Sequence, residues 1–190
     1  MNKDKNRCHW AGSDPVYIDY HDNEWGVPVY DDTKLFEFLI LESFQAGLSW
    51  ITILKKRKNF RKAFDDFDYN RIAGYGEDKI TRLMNDIGII RNKLKIRAAV
   101  NNARAFIDIQ NEFGSFSKYI WSFTGGKPII NNFDRIEDVP AKTDLSDTIS
   151  KDLKKRGFKF VGSTIIYAHM QATGMVNDHT TDCFRYKELS

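Results

Sequence analysis

The chain has little cysteine, with two in 190 residues. A small secreted domain stapled by disulfides would carry more, and no apolar run opens the N-terminus, so a reducing compartment is expected. Long apolar runs are missing as well. None approaches the roughly 18 uninterrupted residues of a spanning helix, and no membrane association is expected. Period-two alternation is scarce, internal repeats are absent, and no linker divides the sequence. What is left is a single helical unit over 1–190, with two lobes allowed by its length.

What is abundant is apolar and aromatic. Hydrophobic residues make up 42% of the chain, which excludes disorder. Phe, Tyr and Trp reach 14%, more ring area than core filling usually needs. Trp10, Tyr17, Tyr20 and Trp25 crowd the segment before the first long helix, and Trp50 follows it. Such rings suit a sandwich around a planar, cationic ligand, although each alone is more often a core residue. Glu42 sits late in an otherwise apolar helix, either at a wet edge or facing that pocket.

Apolar spacing and capping residues punctuate the helices. Asp31-Asp32-Thr33 starts one, and Gly47 interrupts it before Ser49 starts the next. Asp68 and Glu77 open short helices, and Gly88 precedes a long run from Asn92 to Glu112. A helix over Phe116–Phe123 ends at Gly125-Gly126, and 127–143, holding Pro128 and Pro140, reads as a long irregular connection. Helices then span Ser146–Arg156 and Gly162–Thr173, stopped by Gly157 and Gly174. Both termini read as irregular.

The net charge of +3 conceals a strong asymmetry. Lys55–Lys62, Arg91–Arg97 and Lys151–Lys159 together carry +14, against −11 on the remaining residues. Local basic segments on an acidic body suit a phosphate-tracking surface, and three solvated helix faces are the bland alternative. In the last window a basic helix ends at Gly157, a short hairpin follows, and a helix opens at Gly162. Such a hairpin can offer backbone N–H groups and a helix N-terminus to phosphate. Asp86–Arg91 is a second hairpin of this kind.

Cys8 and His21 near one end, and His179 and Cys183 near the other, form a donor set suited to structural zinc. His179 and Cys183 are an i, i+4 pair. The Cys8–His21 spacing is unlike a short zinc finger, so buried free thiols beside surface histidines remain the alternative. A Cys8–Cys183 disulfide is disfavoured in a reducing compartment. His9 and His169 have no comparable partner and receive no role.

Taken together, these segments resemble the constitutive bacterial 3-methyladenine DNA glycosylase family, type I, of the helix–hairpin–helix superfamily. The similarity rests on Asp14-Pro15, Tyr17, Tyr20-His21-Asp22-Asn23-Glu24-Trp25-Gly26-Val27-Pro28 and Gln45-Ala46-Gly47-Leu48-Ser49-Trp50. It continues through Gly88–Asn92, Lys154–Gly162 and Asn177-Asp178-His179, and so runs nearly end to end. The resemblance implies an all-α glycosylase fold whose ends are joined by one zinc ion on Cys8, His21, His179 and Cys183. It implies a base pocket of Trp10, Tyr17, Tyr20 and Trp50, with Glu42 as the catalytic carboxylate. Ser43-Phe44 departs from the smaller or polar residues of the family, which bears on the pocket rim.

The implied activity is base-excision repair: hydrolytic release of 3-methyladenine, and weakly 3-methylguanine, from alkylated double-stranded DNA. The methylated base is already cationic, so its departure needs little acid catalysis. No lysine occupies the position for Schiff-base chemistry, so no strand cleavage is expected. Gly47 and Leu48 would fill the vacated base position, while Lys154, Lys155, Arg156, Gly157, Lys159 and Gly162 would hold the backbone. Asp178 would orient His179 or cap its segment. A monomer in the bacterial cytoplasm, associated with the nucleoid through DNA, is expected. A non-catalytic DNA-binding protein would explain the charge but not an acid among rings. An enzyme using zinc-bound water would need an open coordination position, which four protein ligands do not leave.

Overall fold

Most helices begin where a side chain satisfies a first-turn N–H group. The structure, a computed structural model, describes residues 5–190. In α2 (Asp32–Gln45), the Asp31 carboxylate accepts from Lys34 N at 2.8 Å. The short α4 (Tyr69–Ala73), α5 (Glu77–Asn85) and α7 (Phe116–Ser122) match their expected places. Asn92 caps the long α6 (Lys93–Phe113), and Thr143 with Ser146 forms a capping box on α8 (Asp144–Lys155). α3 (Trp50–Ala63) follows Ser49, and α9 (Ser163–Ala172) follows Gly162.

The termini are more regular than expected. α1 (Pro15–Asn23) carries Asp14 as N-cap and Pro15 in its first turn, and α10 (Phe184–Glu188) closes the chain. The inward face of α1 is built from Tyr20 and His21, with little aliphatic periodicity to reveal it. The 127–143 connection is also tied down. β1 (Ile129–Ile130) pairs in parallel with β2 (Val176–Asn177), and Phe133 bridges to Thr180. Strands of two residues leave no alternation to read.

α2 runs through the core, with every residue from Leu35 to Phe44 buried, and packs against α3, α6, α7 and α9. Phe106 and Phe116 stack beside it with ring centroids 4.1 Å apart, and Phe36 of α2 meets Phe106 edge-on. Gly174, at φ +70°, lets the segment after α9 pass directly against the backbone of Val27 and Pro28, where a Cβ would collide. That crossing brings the C-terminal segment alongside the N-terminal one.

Candidate active site

A cavity of about 190 Å³ opens between α1, α2, α9 and the segment around Trp10. Tyr17 and Tyr20, one turn apart on α1, reach it together with Trp10, Trp25, Glu42 and Trp50, the first residue of α3. Trp10 meets Tyr17 edge-on at 5.1 Å and Trp25 at 4.9 Å, and Tyr20 lies 5.6 Å from Trp50. Four expected pocket rings and the expected carboxylate therefore share one space. Gln45, Ile136, Ala168, Gln171 and Ala172 complete the wall. Ile136 arrives from the pinned connection, and nothing local in the sequence marks it.

Glu42 does not face water, because it is 2% exposed. Its Oε2 lies 3.0 Å from His169 Nδ1 on α9, while Oε1 is buried without a partner. Burial pushes the carboxyl above its ordinary value of 4.5, and His169 works against that rise. Burial, then the nearby Glu42 charge, holds the Tyr20 phenol far up as well. The Trp50 indole N–H is a buried donor without an acceptor. The cavity thus offers rings for stacking, one open carboxylate oxygen and one open donor. A planar heterocycle with a positive charge, N–H donors and a ring acceptor satisfies all of these. Ser43 and Phe44 do not form the rim, since successive helical residues diverge by about 100°. The Ser43 hydroxyl donates to Leu39 O at 2.8 Å, and Phe44 packs against Phe60 in the core.

Beside Trp10 and Trp25, the donor atoms of Cys8, His21, His179 and Cys183 lie within 4.8 Å of one another, all buried. Cys8 Sγ and Cys183 Sγ are each 3.4 Å from His179 Nδ1, and Cys183 Sγ is 3.4 Å from His21 Nε2. Tetrahedral zinc, with Zn–S about 2.3 Å and Zn–N about 2.0 Å, sets S and N about 3.5 Å apart. The donor set fits. Each remaining ring nitrogen is also engaged: His21 Nδ1 lies 2.8 Å from Asp22, which Arg7 grips, and His179 Nε2 lies 3.1 Å from Trp25 O. Asp178 does not orient His179; it accepts from Tyr167, Gln171 and Asn131. Gly26, in the left-handed region at φ +79°, leaves room for the His179 ring, which a Cβ there would meet at 3.0 Å.

The hairpin between α8 and α9 is held by side chains from α6 and α8. Asn102 donates to Lys159 O and accepts from Lys159 N, Asn101 donates to Gly157 O, and Ser150 donates to Val161 O. Gly162 leaves the N-terminus of α9 without a side-chain cap, whereas Asn92 occupies that of α6 in the second hairpin. Lys154, Lys155 and Lys159 are exposed, and Leu48 stands 41% exposed beside Gly47 in the turn after α2. Arg156 is drawn inward instead, pairing with Asp152 and Glu112 and stacking over Phe113 and Tyr119.

Fold and cavity define an all-α, hairpin-bearing protein with a ring-walled cavity beside a buried carboxylate. The methyladenine glycosylase family profile matches residues 10–186, and the chain belongs to that family. It is 50% identical to DNA-3-methyladenine glycosylase 1 of Escherichia coli (strain K12), over 95% of this chain and 96% of that protein. A crystal structure of a 3-methyladenine DNA glycosylase I superposes with a TM-score of 0.92 at 52% identity, covering 94% of this chain and 98% of the other. The Staphylococcus aureus 3-methyladenine DNA glycosylase I, whose structure describes 3-methyladenine recognition, gives 0.92 at 40% identity, with 95% and 96% covered. No helix among the described residues is long and apolar enough to cross a membrane.

Proposed function

We propose that this chain hydrolyses the N-glycosidic bond of 3-methyladenine in alkylated double-stranded DNA and releases the free base. The observation that carries this reading is the buried Glu42, which lines a cavity walled by aromatic rings and keeps one carboxylate oxygen without a hydrogen-bond partner. Relatives named for 3-methyladenine over nearly the whole chain support it.

Methylation at N3 places a positive charge on the base while it is attached to deoxyribose. When the C1′–N9 bond breaks, its electron pair returns to the ring and the base leaves neutral. Water adds to C1′ and gives its proton to solvent. The protein's work is to extrude the base, hold it between Trp10, Tyr17, Tyr20 and Trp50, and admit water to C1′. The Glu42 carboxylate accepts from the base edge and favours its charge. 3-Methylguanine is the weaker substrate because its O6 would set an acceptor against that acceptor. No lysine among the described residues lines the cavity, and Lys95 donates to Phe44 O and Ala46 O. The reaction therefore stops at the abasic site.

Gly47-Leu48 fills the space that the flipped base leaves. Lys154, Lys155, Lys159 and the backbone N–H groups of Phe160, Val161 and Gly162 track the backbone, while Arg156 braces the hairpin from within. One structural zinc on Cys8, His21, His179 and Cys183 joins the ends of a single 1–190 unit, acting as a monomer at the nucleoid. The zinc supplies cross-linking only, and no step of the reaction passes through it. Identifying the bases that the protein releases from methylated duplex DNA tests the reading. Free 3-methyladenine supports it, and its absence overturns it.

A further inference from the structure

The sequence gives His169 no role, yet its side chain is fully buried on an apolar helix and touches the one carboxyl in the cavity wall. A buried imidazole costs free energy unless it is bonded, and this one forms a single side-chain bond, to Glu42 Oε2 at 3.0 Å. We propose that His169 is the positioning residue for Glu42, donating from Nδ1 so that Oε2 is tied down and Oε1 alone faces the base. This inference rests on the function proposed above.

A carboxylate only accepts, so the bond places the proton on Nδ1. His169 Nε2 is buried without a partner. As a bare lone pair it leaves an acceptor unused, whereas an imidazolium would strand a second N–H donor there. The neutral Nδ1–H tautomer therefore fits the surroundings, and the pair keeps the full negative charge of Glu42. Had His169 been a cation, the pair would be neutral overall, and its attraction for a cationic base would be lost.

Among the described residues no other group shares this task. From α1, Tyr17 and Tyr20 face Glu42 as phenols held in their neutral form by burial. From α3, Trp50 presents an indole, and Arg57 is engaged by Glu24 and Glu37 and packs over Phe38. From α9, His169 is the one ionisable side chain bonded to the carboxyl. Fixing Oε2 holds the side chain in one rotamer before the base arrives. The unpartnered Oε1 then gains its hydrogen bond only from the ligand, which concentrates binding free energy on the base edge.

His169→Phe keeps the ring but removes the donor, and His169→Asn places an amide N–H close to where Nδ1 stands. Affinity for free 3-methyladenine, followed by tryptophan fluorescence across pH, separates their effects, and release from methylated DNA is measured alongside. Loss of the donor should weaken binding at neutral pH by about tenfold and move the acidic limb up by about one pH unit. The Asn variant should recover most of both. In the Glu42→Gln background, His169→Phe should change neither quantity. Nitrogen-15 spectra of the wild-type imidazole, which need no variant, should show Nδ1 protonated and Nε2 bare. If wild type neither binds nor releases 3-methyladenine, the proposed function fails. If wild type does both while His169→Phe keeps its affinity and acidic limb, or if Nδ1 is bare, the role of His169 is overturned.

Discussion

Glu42 combines two opposed demands. Its carboxylate suits a cationic base, yet burial makes that charge expensive to the fold, which is why its pKa lies above 4.5. A carboxyl whose pKa rises on folding binds more protons in the native state, so stability falls as pH climbs through that raised value. Glu42→Gln should therefore melt above wild type at pH 8, with the advantage shrinking as pH falls and gone below 4.5. The same variant should lose about 1.5–3 kcal/mol of base binding, or roughly 10–100-fold, as expected for a bond to a charged group. Melting curves and base titrations at both pH extremes check both halves. The ring cluster was legible in the sequence, but an acid in an apolar helix left Glu42 open between a wet edge and a pocket, and only the family resemblance placed it among the rings. His169 was not legible, because a histidine on an apolar helix gives no sign of its partner.

At the scale of elements, the basic windows were legible as charge but not as surface. Arg57 is buried between Glu24 and Glu37, Arg97 pairs with Glu77, and Arg156 is drawn inward. Lys95 donates to Phe44 O and Ala46 O, closing the C-terminus of α2 just before Gly47-Leu48. Lys95→Met leaves both carbonyls without that donor, and should cost about 1–3 kcal/mol and speed amide exchange over residues 46–49. Unchanged exchange there would show that the turn holds itself. Lys154 and Lys155 make no ion pair among the described residues and remain available for phosphate. Replacing both by Ala should weaken binding to damaged and undamaged duplex alike, with a salt slope shallower by about two. Long helices with capping residues were readable from local sequence. The β1–β2 pairing was not, because its register depends on a chain crossing made possible by Gly174.

Across the whole molecule, the Cys/His cluster adjoins the cavity, because Trp10 and Trp25 touch both. The ends of the chain therefore build one wall of the pocket, and the proposed zinc holds that wall. The donor types suggested one site and the resemblance put all four residues on it, while their spacing, unlike a short finger, had left buried free thiols as the alternative. Cys183→Ser, or removal of metal by a chelator, should lower the melting temperature by several degrees, at about 2–4 °C per kcal/mol for a domain of this size. Turnover well below melting should fall less. Metal analysis of the purified protein should find one zinc per chain, and none would overturn the clasp.

A buried carboxylate in a ring-walled cavity should select a cationic methylated base for release. The most direct measurement incubates wild type and Glu42→Gln with the same methylated duplex and separates the free bases. Wild type should release abundant 3-methyladenine and little 3-methylguanine, and the variant should lose most of both. Equal release by the two proteins, or release of unmodified bases by wild type, would contradict it.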